Sequence, residues 1–248
     1  MLKKIILIVL AVCIVNLVAG IIYFEIEPEN TDINYAPADS QKTTDTTIRF
    51  NSNGKLKILH IADPHLDNDK HFDSSIWVIA NACDVEKPDL VVLTGDNTHP
   101  HEDPEETKKL INALMNIFES RNIPVAVTFG NHDSEDGPMS RKDIMEYYKT
   151  FSCVISAGDE TNFKNCATFN IPVLASDSDK VKFNLWVFDS GDYDEDEPRH
   201  YDRVRTEQIE WYKEASAKLK EENGGKTVNS VVFQHIIVPE IYDVLKKV

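Results

Sequence analysis

The chain has 248 residues, of which 26 are Lys or Arg and 42 are Asp or Glu, so its formal net charge is −16. Hydrophobic residues make up 42% of the sequence, and its 9 Gly and 11 Pro exclude a collagenous, low-complexity or wholly disordered chain. So negative a chain repels nucleic acid, and it repels anionic substrates unless bound cations reverse the sign of the local field. We therefore expect no nucleic-acid partner.

The N-terminal segment has the pattern of a targeting sequence. Two lysines precede an apolar run at residues 5–24, which is long enough to span a bilayer. A signal anchor and a cleaved signal peptide both fit, and a buried core helix fits less well because the run has no amphipathic period. We therefore expect the secretory pathway, with a membrane-anchored lumenal or extracellular domain or a secreted one, in which Cys153 and Cys166 could pair. Residues 25–45 are predicted to be a flexible tether.

The predicted domain, residues 46–248, begins with alternating strands and helices. In chain order the patterns predict strands at 48–50 and 55–62, a helix at 74–86, a strand at 90–93, a helix at 104–120, a strand at 123–129 and a short helix from Ser140. The second half is richer in strands, at 168–171, 183–188 and 230–235, with one helix at 203–220. This order predicts a layered α/β domain.

Polar residues follow four of these strands at the point where each strand ends. They are Asp63-Pro64-His65, Gly95-Asp96-Asn97, Gly130-Asn131-His132-Asp133 and Gln234-His235. In α/β sheets, ligands bind beyond the carboxyl ends of strands, so these groups can converge on one rim. Each motif alone also fits an ordinary capped turn, and His235 alone fits a buried histidine with satisfied hydrogen bonds.

The residue types at these strand ends suit divalent cations. Carboxylate, imidazole and amide oxygen together fit a pair of such ions, and an Asp at the second strand end can bridge them. Two neighbouring metals clamp the oxygens of an in-line displacement and activate water at neutral pH. A glycine before Asp96 and another before Asn131 let the backbone turn sharply beside the ions.

The order of these motifs resembles the calcineurin-like metallophosphoesterases, and within them the purple-acid-phosphatase-like, fungal phosphoprotein-phosphatase-like branch. The matching segments are Ile48–His65, Thr94–Asn97, Asp189–Tyr193, Gln208–Trp211 and Phe233–Glu240. The resemblance covers about residues 46–248. It implies a layered α/β/β/α sandwich and a metal-dependent phosphoester hydrolase.

The resemblance also implies a ligand set for two metal ions. Asp63 and His65 would bind the first metal, Asp96 would bridge both, and Asn131 and His235 would bind the second. The ions would be divalent or mixed-valence, and iron, manganese and zinc all suit these ligands.

The same resemblance implies roles for two further residues. His132 would lie near the scissile phosphate as an acid or charge stabiliser, and Asp133 would orient it. A metal-bound hydroxide would attack phosphorus in line. The partner would be a phosphorylated substrate, either a phosphoprotein or a small phosphoester, whose charge the two cations would offset.

The sequence departs from this branch in two places. Purple acid phosphatases have an iron-binding Tyr three residues after the Gly-Asp aspartate, where this chain has His99, so we predict no purple colour. His99 and His101 face either substrate or solvent. The family also ends its site with Gly-His-x-His, which does not occur in this sequence, so five of seven expected ligand residues are present.

The missing motif leaves two interpretations open. The sequence is either a truncated copy of a longer enzyme that lacks its last strands, or a shortened protein with an impaired site. The alternative function is therefore a membrane-tethered, catalytically inactive binding protein.

Overall fold

The structure, a computed structural model, describes residues 47–155, 163–194, 196, 200–238, 240–241 and 246. All of them belong to the unit Tyr35–Val248. The apolar run at residues 5–24 and the predicted tether at residues 25–45 lie outside the described residues. Among the described residues, no helix is long and apolar enough to cross a bilayer.

The described residues form six strands and four α-helices. The strands are β1 (Ile58–Ile61), β2 (Leu90–Leu93), β3 (Val125–Val127), β4 (Phe169–Leu174), β5 (Val181–Phe188) and β6 (Asn229–Gln234). The helices are α1 (Phe72–Glu86), α2 (Pro104–Glu119), α3 (Arg141–Tyr148) and α4 (Thr206–Glu222), and a single 3₁₀ turn covers His132–Ser134.

The first sheet is parallel and carries helices on one face. Its order is β1-β2-β3, and the central strand β2 is buried along its whole length. Continuous apolar strands are typical of parallel sheets that are covered on both sides. On the helical side, Val91 and Leu93 belong to the same core cluster as Ile111, Leu114 and Phe118 of α2. Because the three strands are parallel, their carboxyl ends all lie at the same edge of the sheet.

The second sheet packs against the opposite face of the first. Strand β5 lies between β4, which is antiparallel to it, and β6, which is parallel to it. Leu90 and Val92 of the first sheet share a buried cluster with Ile171, Val173 and Leu185 of the second. This apolar layer holds the two sheets face to face.

Helix α4 covers the outer face of the second sheet. The Trp186 ring meets the rings of Trp211 and Tyr212 edge-on, with centroids 5.6 and 4.8 Å apart. The order of layers is helix, sheet, sheet, helix, so the predicted α/β/β/α sandwich is confirmed.

The structure differs from two strand predictions. Residues 48–50 do not form a strand, and Arg49 makes only an isolated bridge to Leu174 of the second sheet, whereas the strand predicted at 55–62 is β1 of the first sheet. Strand β4 continues three residues beyond the predicted end, through Pro172 to Leu174. Proline lacks a backbone N–H and is tolerated near the edge of a sheet, where no neighbouring strand needs that donor.

The described cysteines Cys83, Cys153 and Cys166 all carry free thiols, so the structure does not contain the Cys153–Cys166 pair left open by the sequence. Burial raises the pKa of Cys166 to about 11. These thiols are protonated at neutral pH and behave as small apolar groups.

Helix α2 has defined ends. Asp103 caps it by accepting the Glu105 backbone N–H at 3.0 Å, and Pro104 occupies the first turn, as predicted. At the other end the Glu119 carboxylate accepts the Ser152 hydroxyl at 2.6 Å and the Cys153 backbone N–H at 3.0 Å. Glu119 thus fastens α2 to the segment after α3.

We expect Glu119→Gln to lower the free energy of unfolding by about 1–2 kcal/mol at neutral pH, because charge-assisted hydrogen bonds are lost. Burial opposes ionisation, but the hydrogen bonds from Cys153 and Ser152 outweigh it and hold the pKa of Glu119 below its usual range. A lowered folded-state pKa gives stability that is full above the unfolded pKa and is lost as pH falls through the folded value.

Urea unfolding at neutral and acidic pH checks this prediction. The difference between wild type and Glu119→Gln should shrink below about pH 4, near the carboxyl pKa of the unfolded chain. Glu210→Gln, which removes an exposed carboxylate 2.7 Å from Lys213, is the control and should change little. A difference that is constant with pH would contradict the role of the ionised carboxylate.

Candidate metal centre

The four strand-end motifs meet at one edge of the sandwich. They open into a cavity of about 800 Å³. Its walls are formed by Asp63, His65, Asp96, Asn131, His132, His200, Tyr201, Asp202, His235, Ile236 and Ile237. Six of the seven site residues predicted from sequence therefore line one cavity, and only Asp133 does not.

Three of these residues form a cluster with the geometry of a cation site. The ligand atoms of Asp63, His65 and Asp96 all lie within 4.8 Å of one another. The Nε2 atom of His65 is 3.4 Å from Asp96 Oδ2 and 3.9 Å from Asp63 Oδ1. One ion can reach an imidazole nitrogen and two carboxylates at this point, which is a donor set suited to zinc, manganese or iron.

Asp96 lies between two histidines. Its Oδ2 atom is 3.4 Å from His235 Nε2 as well as 3.4 Å from His65 Nε2, and its Oδ1 accepts the His132 backbone N–H at 2.8 Å. Burial would lower the pKa of His235, but the Asp96 carboxylate outweighs it and raises that pKa. The carboxylate is therefore placed where a bridging ligand between two cations would be.

Asn131 presents its amide to the same cavity. Its Nδ2 atom donates to the Tyr193 hydroxyl at 3.1 Å. Because the amide nitrogen is engaged by Tyr193, the amide oxygen is the atom left to act as a ligand. The residue is only 4% exposed, so its orientation is constrained by its surroundings.

The backbone at the first two strand ends is held in an uncommon conformation. Asp63, His65 and Asp96 have φ angles of 54°, 45° and 50°, in the left-handed region that most residues avoid. Hydrogen bonds across the loops hold them there, from Asp63 N–H to Gly95 C=O at 3.1 Å and from His65 N–H to Asp96 C=O at 2.9 Å. Such strain clusters at functional sites, where the surrounding fold determines it.

The two predicted glycines are required by close packing rather than by turning alone. A Cβ atom on Gly130 would lie 2.2 Å from Asp96 Oδ1, and one on Gly95 would lie 2.1 Å from the Gly130 nitrogen. Gly95 also has a φ of 109°. The second and third loops therefore touch through their backbones beside the Asp96 carboxylate.

The Asp133 carboxylate, which was predicted to orient His132, contacts backbone N–H groups instead of the His132 ring. The Asp133 carboxylate accepts the backbone N–H groups of Asp96, Asn97 and Gly130 at 2.7, 2.9 and 2.7 Å. It is buried behind the rim, and burial raises its pKa. Asp133 thus joins the second and third loops, and its carboxylate does not reach the cavity.

His132 has a different acidic partner, which the sequence did not indicate. Its Nδ1 atom contacts Glu135 Oε2, three residues further along the chain. The His132 ring also lies near those of His65 and His99, with centroids 5.4 and 5.7 Å apart. Only the short spacing within a 3₁₀ turn could have suggested Glu135.

His99 lies behind the candidate metal site. Its Nε2 atom is 3.1 Å from His65 Nδ1, and it does not form part of the described cavity wall. Ring nitrogens of metal-binding histidines are commonly held by such an outer partner. His101 instead pairs with Asp67 at 2.9 Å.

The far wall of the cavity comes from the loop after β5, which the strand-end pattern did not indicate. Tyr193 and Tyr201 of this loop stack with ring centroids 5.8 Å apart, and Asp202 is bound by Arg205 at 2.8 Å. The spacing of strand ends does not predict this loop, because the loop reaches the site only through the packing of the second sheet.

The comparisons with known proteins agree with this geometry. The sequence model of the calcineurin-like phosphoesterases matches residues 56–246. The chain belongs to this family. The family assignment confirms the resemblance found in the sequence, and purple-acid-phosphatase-like relatives support the branch.

Two relatives and one solved structure illustrate the match. The chain is 28% identical over 235 residues to a protein from Arabidopsis thaliana named probable inactive purple acid phosphatase 29, with coverage of 82% of this chain and 59% of that protein. It is 26% identical over 219 residues to phosphatase DCR2 from Saccharomyces cerevisiae, covering 78% and 36%. A dimetal phosphatase from Danio rerio shares the fold, with a TM-score of 0.52 and 11% identity over 73% of this chain and 69% of that one. The chain thus spans less than two thirds of either relative.

We expect Gly130→Ala to weaken Mn²⁺ or Zn²⁺ binding by about tenfold or more, the scale seen when support for a ligand is lost. The added Cβ would displace the Asp96 carboxylate. Calorimetric titration of the purified chain measures this, with circular dichroism to verify folding. Gly224→Ala is the control for backbone strain alone, because Gly224 has a φ of 68°, its Cβ would meet nothing within 4 Å, and it lies outside the cavity wall. It should leave the affinity unchanged. A folded Gly130→Ala chain with wild-type affinity would contradict the placement of Asp96.

Proposed function

We propose that the chain is a metal-dependent phosphoester hydrolase with a two-cation site. The observation that carries the proposal is the position of Asp96, whose carboxylate lies 3.4 Å from both His65 and His235. A buried carboxylate flanked by two imidazoles suits a ligand shared by two divalent ions.

The residues divide into two ligand groups around that carboxylate. Asp63 and His65 would hold one ion, Asn131 and His235 the other, and Asp96 both. When bound, the cations would supply Lewis-acid charge for the phosphoryl oxygens and activate water. Iron, manganese and zinc fit this donor set equally well.

The cavity wall offers little positive charge of its own, so an anionic substrate would be held mainly by the bound cations. None of the described residues that line the cavity is Lys or Arg, whereas four are His. Binding of a phosphate by this acidic chain therefore depends on the cations. His132 is the group proposed to stabilise the departing oxygen by donating a proton.

The substrate would be a phosphoprotein or a small phosphoester, and the lining of the cavity is compatible with both. We also propose a location in the secretory pathway, in which the chain is anchored through residues 5–24 or is secreted. This part of the proposal rests only on the apolar composition of that run.

A catalytically inactive binding protein, tethered to the membrane, is the second candidate. It is favoured by the name of the Arabidopsis relative, which includes "probable inactive". This candidate predicts cation binding without turnover.

Asp96→Asn tests the proposal. We expect Mn²⁺-dependent hydrolysis of para-nitrophenyl phosphate to fall by at least about 100-fold, because transition-state charge is no longer offset. The control is Asp179→Asn, an exposed carboxylate that pairs with Arg49 on the surface.

The outcomes separate the two candidates. Full activity in Asp96→Asn would show that the site is wrongly assigned. Cation binding by the wild-type chain with no turnover of phosphomonoesters or diesters would favour the inactive binding protein.

A further inference from the structure

Glu135 contacts His132 at the rim of the site and has no role in the proposed function. We infer that Glu135 is a positioning residue that fixes the ring of His132. The catalytic part of this inference rests on the proposed hydrolase function, whereas the hydrogen-bond geometry does not.

Local backbone structure brings the two side chains together. The turn His132–Ser134 is a 3₁₀ helix, and the Glu135 backbone N–H donates to the His132 carbonyl at 3.3 Å. Residues three apart in a 3₁₀ turn lie directly over one another. Glu135 Oε2 therefore meets His132 Nδ1, and both side chains are about one-third exposed, at 35% and 32%.

No other described carboxylate has this contact. Asp133, the neighbour in sequence, is occupied by three backbone N–H groups and is buried away from the ring. Glu135 is thus the acceptor for the Nδ1 proton of His132.

Tyr193 approaches the rim from the loop that follows β5. Its hydroxyl accepts the Asn131 amide N–H at 3.1 Å. Tyr193 is itself braced by Tyr201, through a stacked ring and a backbone bridge. This loop therefore orients the candidate ligand Asn131, whereas the His132 ring is held by Glu135.

This arrangement determines which nitrogen of His132 can act on substrate. With the Nδ1 proton held by Glu135, Nε2 is the nitrogen left for the departing group. In hydrolysis the bond from phosphorus to the leaving oxygen breaks, and the electron pair stays on that oxygen. The leaving oxygen takes the Nε2 proton of the doubly protonated ring, which becomes the Nδ1–H form that Glu135 holds. Water supplies the oxygen of the new bond to phosphorus, and one of its protons goes to solvent, from which Nε2 is protonated again.

The tautomer of His132 is a test that needs no activity. In metal-free, ¹⁵N-histidine-labelled chain at about pH 8, we expect long-range proton–nitrogen spectra to show the His132 proton on Nδ1. The signal is assigned by its absence in His132→Asn. Glu135→Ala should move the proton to Nε2, whereas Glu135→Gln should keep it on Nδ1, because the amide oxygen still accepts.

The matched control is Glu146→Ala. Glu146 also pairs with a residue three positions away, Lys149 at 2.9 Å, and lies outside the cavity wall. It should leave the His132 signal unchanged. A proton on Nε2 in the wild-type chain, or no change in Glu135→Ala, would overturn the inference.

Turnover gives the second readout. We expect Glu135→Ala to lower kcat for phenyl phosphate by about 10- to 100-fold, with KM changed by no more than about twofold. The loss for para-nitrophenyl phosphate should be smaller, because its leaving group needs less help from an acid. Glu135→Gln should recover most of the activity.

The tautomer and the turnover measurements distinguish failure of the inference on Glu135 from failure of the proposed hydrolase function. An equal loss on both substrates, or a change in KM alone, would overturn a role through His132. If the wild-type chain shows the Nδ1 proton and its loss in Glu135→Ala but no turnover, the hydrolase proposal fails while the positioning of His132 stands.

Discussion

Three backbone N–H groups that converge on the buried carboxylate of Asp133 hold the candidate site together. They come from Asp96, Asn97 and Gly130, so one side chain fastens two loops that follow different strands. Where these two loops meet, Gly130 lies against the Asp96 carboxylate, and there is no room for a side chain at that position. A buried N–H group that loses its partner carries a cost in free energy, so separating the two loops would destabilise the fold. The position of the Asp96 carboxylate follows from this constraint.

A second set of contacts ties the far sheet to the same loops. The Arg141 guanidinium donates to the Gly130 carbonyl at 2.8 Å and pairs with the buried Asp189 carboxylate that follows β5. The Gln208 amide of α4 donates to the Asp189 carbonyl at 2.8 Å. Breaking a buried ion pair by removing one partner is strongly destabilising. The rim is thus built jointly by both sheets, which explains how His235, after a strand of the second sheet, reaches Asp96.

The alternation of strands and helices predicted a layered α/β domain, and the polar strand ends predicted most of the cavity wall, because both depend on local patterns. The two-sheet sandwich was implied by the family resemblance. Buried runs such as Leu90–Leu93 mark parallel strands, and polar residues after them mark their carboxyl ends.

The sequence did not predict Glu135 or Tyr193, whose roles depend on contacts rather than on residue type. Tyr193 lies 62 residues from Asn131, and only the packing of the two sheets brings them together. The contacts of Asp133 were also beyond the pattern, because a carboxylate next to a histidine can face either the ring or the backbone.

The central claim is that Asp96 is shared by two cation sites, and anomalous diffraction tests it most directly. Crystals of the chain soaked in Mn²⁺ or Zn²⁺ should show two anomalous peaks about 3.5–4 Å apart, one on each side of the Asp96 carboxylate. One peak should lie against Asp63 and His65, and the other against Asn131 and His235. Peaks that make no contact with Asp96, or no peak in the cavity at saturating metal, would contradict the account.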